Sequence, residues 1–146
     1  MSIFKYLVVI IFIGFTNDAF ACSCAATPIT EKIQEATKII EGVAIKVELQ
    51  EGVDFFSAKK TTFRIDKTYK GEVPVEFSVY STVHSASCGV DFSVGLKYVV
   101  LVYDNDRVSS CGGQEEWYEK EYEDRMDMQG IGLLKELRKS HNQSKQ

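Results

Sequence analysis

The sequence predicts a mainly β fold: a small closed β-barrel of four or five strands, with a short N-terminal helix, a C-terminal helix and two disulfides. Three observations predict it. Apolar and polar residues alternate in several segments that are separated by short turns. One later segment is apolar throughout, as a strand buried on both faces would be. Four cysteines (Cys22, Cys24, Cys88 and Cys111) make an even set suited to two bridges.

Thr27-Pro28 resembles a helix start, with Thr27 or Thr30 as cap, Glu31 in the first turn, and Ile29, Ile33 and Ala36 forming one apolar side. Ile39 to Leu49 then alternates and reads as a strand with Val43, Ile45, Val47 and Leu49 facing one way. Gly42 within it suggests a bulge or a bend. Thr61 to Tyr69 is a second strand, through Phe63, Ile65 and Lys67, and stops at Lys70-Gly71. Val75 to Val83 is a third, with Val75, Phe77, Val79 and Ser81 on one face. Leu96 to Tyr103 is the doubly buried strand, Asp104-Asn105-Asp106 a turn, and Arg107 to Cys111 a short returning strand. From Gln114 to Lys139 the pattern turns helical: Tyr118, Tyr122 and Met126 recur at four-residue spacing, and Leu133, Leu134 and Leu137 continue after a break at Gly130 to Gly132. The tail, Ser140 to Gln146, reads as disordered.

Residues 1–21 read as a secretory signal. Lys5 supplies the positive start, Tyr6 to Phe15 an apolar run, and Ala19-Phe20-Ala21 a small-x-small cleavage pattern. Cleavage there makes Cys22 the first mature residue, with a free α-amino group, and leaves about 125 residues, enough for one domain. The chain is expected to be secreted or periplasmic, without a transmembrane span after the leader. A formal net charge of -4 and no basic stripe argue against a nucleic-acid partner. Cys22 and Cys24 are too close to bridge each other comfortably, so each is expected to reach across the fold to Cys88 or Cys111.

Other chemistries fit poorly. A thiol oxidoreductase places two residues between its cysteines at a helix start, whereas Ser23 alone separates Cys22 from Cys24. A four-cysteine zinc site needs two close pairs, and Cys88 and Cys111 are single. No nucleophile elbow or zinc-hydrolase motif occurs, so the chain is not expected to be an enzyme. Lipid attachment at Cys22 is the rival reading: its pattern prefers a small residue where Phe20 stands, and it would leave an odd cysteine.

The landmarks from Cys22 to Cys111 resemble the tissue inhibitors of metalloproteinases, within the wider netrin-like group. They are Cys22-Ser23-Cys24 at the expected mature terminus, Ile40-Glu41-Gly42-Val43, Phe63-Arg64-Ile65 leading to Tyr69-Lys70-Gly71, Val79-Tyr80-Ser81-Thr82, Ser87-Cys88-Gly89 and the closing Cys111. The resemblance implies a five-stranded OB-like barrel over residues 22–113, a helical extension over 114–139 that has no counterpart in it, and disulfides Cys22–Cys88 and Cys24–Cys111. The animal inhibitors carry a third disulfide in this domain and a cysteine-rich C-terminal subdomain, which this chain lacks.

The resemblance also implies a function: a monomeric, non-enzymatic inhibitor of zinc metalloendopeptidases. The α-amino nitrogen and carbonyl oxygen of Cys22 would chelate the zinc of the target protease; no cofactor of its own is expected. Ser23 would enter the specificity pocket. Cys24, and Ser85, Ala86, Ser87 and Cys88 as a second edge, would complete the protease-binding ridge. The alternative is a netrin-like binding module, lipid-anchored at Cys22, that has no inhibitory activity.

Overall fold

The computed structural model describes residues 22–24, 26–84, 87–117 and 132–143. The expected leader, Ser85 and Ala86, and the Tyr118–Tyr122–Met126 periodicity lie outside these residues. In chain order the elements are helix α1 (Ile29–Glu35), strands β1 (Lys38–Leu49), β2 (Lys59–Lys70), β3 (Glu76–Ser81), β4 (Lys97–Val102) and β5 (Gln114–Glu116), and helix α2 (Leu133–Gln143). Single turns of 3-10 helix cover Phe55–Ser57 and Asp104–Asp106.

The five strands form one antiparallel sheet in the order β3-β2-β1-β4-β5. The fold is therefore mainly β, as the alternation predicts. Closure into a barrel is not found: the edge strands β3 and β5 share no ladder among the described residues. The link on that side is an isolated parallel bridge between Tyr80 and Arg107, with the Val108 N–H donating to the Tyr80 carbonyl at 2.9 Å.

The inner strand β4 is buried on both faces, which is why its sequence is a continuous apolar run. On one face Tyr98, Val100 and Val102 pack with Ile40, Ala44, Phe63, Val79, Val90, Phe92 and Val108. Phe63, Phe92 and Tyr98 meet edge to face there, with Phe92 5.0 Å from each of the other two ring centroids. On the other face Val99 and Leu101 pack with Ile39, Ala36 and the α2 residues Leu133, Leu134 and Leu137, and Ile29 and Ile33 of α1 close the edge of that cluster.

Several elements differ from the sequence expectation. Pro28, and neither threonine, occupies the position that caps α1, and no side chain caps it. In β1 the pairing register shifts at three places, one of them between Ala44 and Lys46. The extra residue at the last of these, Ile45, sets Val47 opposite Thr61 and Leu49 opposite Lys59, on the face of Ala44 and Phe63. At this end of the strand they are nonetheless 38% and 68% exposed, while Ile40 and Ala44 are fully buried. Gly42 does sit at a register shift, where a Cβ would run into the Arg64 carbonyl of β2. β3 begins after Val75, which is 74% exposed. Arg107 to Cys111 forms no strand and contributes the isolated bridges of Arg107 to Tyr80 and Tyr103. Gln114–Glu116 is strand rather than helix, because β4 offers it a free edge. Helix α2 runs on through Ser140 to Gln143, where disorder is the sequence expectation.

A charged cluster ties strands of the sheet together. The buried Glu41 carboxylate accepts from Tyr69 Oη and Lys97 Nζ, each at 2.7 Å, and Lys97 also reaches Asp66 at 3.1 Å. The Lys97 ammonium lies 4.6 Å from the Trp117 ring centroid. Burial and the hydrogen bond to Glu41 push the Tyr69 hydroxyl well above its usual range. Burial opposes the Lys97 charge, but Glu41 and Asp66 outweigh it and raise that pKa.

Candidate functional site

The first described residues are fastened to two loops. Cys22 pairs with Cys88 and Cys24 with Cys111 at disulfide distance, with Cα atoms 5.2 Å apart in each pair. The bridges span 66 and 87 residues. Loops of that length each favour the folded chain by about 4 kcal/mol in the chain-entropy view. The two contributions overlap, because both tie down the same three residues. Ser23 stands between them, exposed.

The two bridges are also packed on one another. Cys111 Sγ lies 3.5 Å from Cys22 Sγ and 3.8 Å from Cys88 Sγ, and the Ser110 hydroxyl is 3.8 Å from Cys22 Sγ. The two sulfur–sulfur approaches are contacts between disulfides, not hydrogen bonds, since no sulfur carries a proton; the Ser110 hydroxyl is the one donor in the group. The sulfurs of Cys22, Cys88 and Cys111 fall within 4.8 Å of one another, a grouping with metal-ligand dimensions. A metal requires thiolates, and each of these sulfurs is in a bridge.

Backbone geometry explains the glycine after each distal cysteine. Cys88 itself has φ of 62°, in the left-handed region that few non-glycine residues adopt. The chain then doubles back so tightly that a Cβ on Gly89 would overlap the carbonyls of Thr82 and His84. The N–H groups of Ser87 and Gly89 both donate to the His84 carbonyl at 3.0 Å. Thr82, buried at the end of β3, donates its hydroxyl hydrogen to the Ser87 carbonyl at 2.9 Å. At the second bridge, Gly112 lies against the Tyr103 ring, whose hydroxyl donates to the Gly112 carbonyl at 2.8 Å. Ser110 N–H donates to the Cys88 carbonyl at 3.1 Å, which joins the two loops.

Beyond Cys88 the loop is held from below. Lys59, buried at the start of β2, donates to the Val90 carbonyl at 3.2 Å and pairs with the Asp91 carboxylate. A small pocket of about 250 Å³ opens beside Cys88, lined by Thr82, Ser87, Tyr103, Arg107, Val108 and Ser109. A larger groove of about 620 Å³ runs from Ser110 and Thr27 past Ile29 and Lys32 to β5 and the start of α2.

Of the residues expected at the ridge, Cys22, Ser23, Cys24, Ser87 and Cys88 are thus brought into one place, while Ser85 and Ala86 fall outside the described residues. Sequence reasoning misses Thr82, Lys59 and Ser110, which hold that place together. Nothing in the local pattern marks Lys59; Ser110 carries a hint as the neighbour of Cys111, and Thr82 enters only as the end of the Val79-Tyr80-Ser81-Thr82 landmark, with no role attached. Searches against protein-family models and curated proteins find no match to this chain.

Proposed function

We propose that the chain, once processed to begin at Cys22, is an inhibitor of zinc metalloendopeptidases that caps the catalytic zinc with its own N-terminus. The observation that carries this reading is the double clamp: the residues on either side of Ser23 are each bridged to a loop of the sheet domain. A short segment fixed in this way loses little freedom on binding, so a small contact can still be tight.

The chemistry follows from the target. A catalytic zinc with three protein ligands keeps a position for the water that attacks the peptide. The α-amino nitrogen and carbonyl oxygen of Cys22 form a five-membered chelate that takes that position. Ser23 then points beside the scissile site, and its small side chain admits a range of specificity pockets. Ser87 and Cys88, with Ser85 and Ala86, form the second edge. The zinc belongs to the protease; the inhibitor contributes backbone atoms and no cofactor.

The OB-like barrel is part of the same proposal. The strand order and the parallel Tyr80–Arg107 bridge on the open side of the sheet support it. The sulfur of Cys22 is already paired with Cys88 and has no valence left for a thioether, which favours the free amine over lipid attachment.

The deciding experiment compares two purified chains, one starting at Cys22 and one with a single alanine before it, against a panel of zinc endopeptidases. Inhibition by the first and not the second is the expected result. Equal potency, or none from either, removes the chelate.

A further inference from the structure

Among the four sulfurs, that of Cys111 has a special position: it touches both sulfurs of the neighbouring bridge, at 3.5 Å to Cys22 and 3.8 Å to Cys88. Its own partner, Cys24, is exposed, whereas Cys22, Cys88 and Cys111 are half-buried. The most exposed of the four cysteines is therefore bonded to the one whose sulfur has the most sulfur neighbours. We infer that Cys24 is a site of S-thiolation by small monothiols, and that Cys111 is the internal nucleophile that passes the opened bridge on to Cys22–Cys88.

Thiol–disulfide exchange needs a thiolate in contact with a disulfide sulfur and a leaving thiolate. In the first step the monothiol thiolate bonds to Cys24 Sγ, the Cys24–Cys111 bond breaks, and its electron pair leaves on Cys111 Sγ. Cys24 is now a mixed disulfide. In the second step Cys111 Sγ bonds to Cys88 Sγ or Cys22 Sγ, and the pair leaves on the other of the two. When Cys22 is the one released, its thiolate bonds to Cys24 Sγ and expels the monothiol. The sum is an isomerisation to Cys88–Cys111 and Cys22–Cys24, the latter a tight bridge across Ser23 alone that the monothiol reopens to the mixed disulfide, with no oxidant or reductant consumed.

The isomer leaves the N-terminal segment with no bridge to the sheet domain. Two further observations favour movement of this kind. Cys88 is held in a left-handed backbone conformation, which is unfavourable for a non-glycine residue. The Ser110 hydroxyl lies 3.8 Å from Cys22 Sγ, where it can donate to a thiolate formed there. The exchange itself rests on sulfur geometry alone; only its consequence, a ridge that a monothiol switches off, rests on the proposed inhibitor reading.

Two experiments test the exchange by bridge mapping, without any inhibition assay. In the first, Cys24→Ser leaves one free thiol at Cys111 beside an intact Cys22–Cys88 bridge. After equilibration at mildly alkaline pH, acid quench and alkylation, the label is expected to divide between Cys111 and at least one of Cys22 and Cys88. Label confined to Cys111 in a chain with native circular dichroism overturns the relay. In the second, which covers misfolding of that variant, the unsubstituted mature chain is incubated with glutathione and quenched with N-ethylmaleimide. The expected products carry glutathione on Cys24 with maleimide on Cys22 or Cys88, or carry the Cys22–Cys24 and Cys88–Cys111 bridges. An adduct on another cysteine, maleimide on Cys111 alone, or native bridges with no adduct overturns the proposal. A working relay with no protease inhibited would reject the inhibitor reading and leave the exchange standing.

Discussion

The Thr82 hydroxyl donates to the Ser87 carbonyl at 2.9 Å, so the residue that follows β3 holds the backbone next to the bridged Cys88. Thr82 is buried, and its methyl and hydroxyl are replaced in shape by valine. Thr82→Val is expected to lower stability by about 1 kcal/mol, the usual net worth of such a bond plus some desolvation of the stranded carbonyl. Urea unfolding measures it. On the proposed reading, the same variant loses more inhibition than its stability loss alone explains, because the second edge of the ridge is loosened; unchanged potency would separate the loop from the function.

Glycine positions give a contrast in which only the surroundings differ. Gly42 faces the Arg64 carbonyl across the β1–β2 ladder, and Gly132 has none of the described residues within 4 Å of a built Cβ. Gly42→Ala must push two hydrogen-bonded strands apart and is expected to cost more than about 2 kcal/mol, or to prevent folding. Gly132→Ala, just before α2, is expected to be neutral within about 0.5 kcal/mol. Thermal unfolding of the two variants in parallel checks this, and equal effects would contradict the close approach at Gly42.

The Glu41–Tyr69–Lys97 cluster sets an alkaline limit. Both Tyr69 and Lys97 have folded-state pKa values raised above their ordinary ones. A raised value means that the folded chain holds its proton more tightly, so stability is fully present below the unfolded values, about 10 for both groups, and falls as pH rises past them. Tyr69→Phe removes one of the two titrations and one hydrogen bond to a buried carboxylate. It is expected to cost about 1–3 kcal/mol near neutrality and to flatten the decline above about pH 10. Guanidinium unfolding from pH 7 to 11, with tyrosinate absorbance followed in parallel, reads both effects.

How legible the fold was depended on how regular each strand is. β4 reads directly from Tyr98 to Val102, because burial on both faces leaves no polar position to interrupt it. β1 reads as a strand, but its buried residues do not: Ile40 and Ala44 are buried where Val43, Ile45, Val47 and Leu49 are expected to face one way, and the extra residue between Ala44 and Lys46 leaves no trace in residue type. β5 is invisible locally: Gln114, Glu115 and Glu116 have no strand preference and pair because the edge of β4 is open. Residues suited to either state follow the tertiary context. At the site, the cysteines announce themselves, but their pairing came only with a family resemblance. The brace from Thr82 depends on a contact that no spacing rule encodes.

Acidity should weaken inhibition through a single group. The proposed chelate uses the lone pair of the Cys22 amine, which a proton occupies below the ordinary α-amino pKa of about 7.7–8.0. Metal binding must displace that proton, so the apparent inhibition constant rises as pH falls, approaching tenfold per pH unit well below that value. The protease carries its own pH dependence, which an active-site hydroxamate measured alongside removes by division. Potency that stays flat from pH 8 to 6 after that correction excludes the amine as the ligand. Ser23→Gly serves as the control for position: it removes only an exposed side chain, leaves the amine and both bridges in place, and is expected to keep the same pH profile. Its selectivity across proteases should shift, while its melting temperature moves by no more than a few degrees, as for a surface change within about 0.5 kcal/mol.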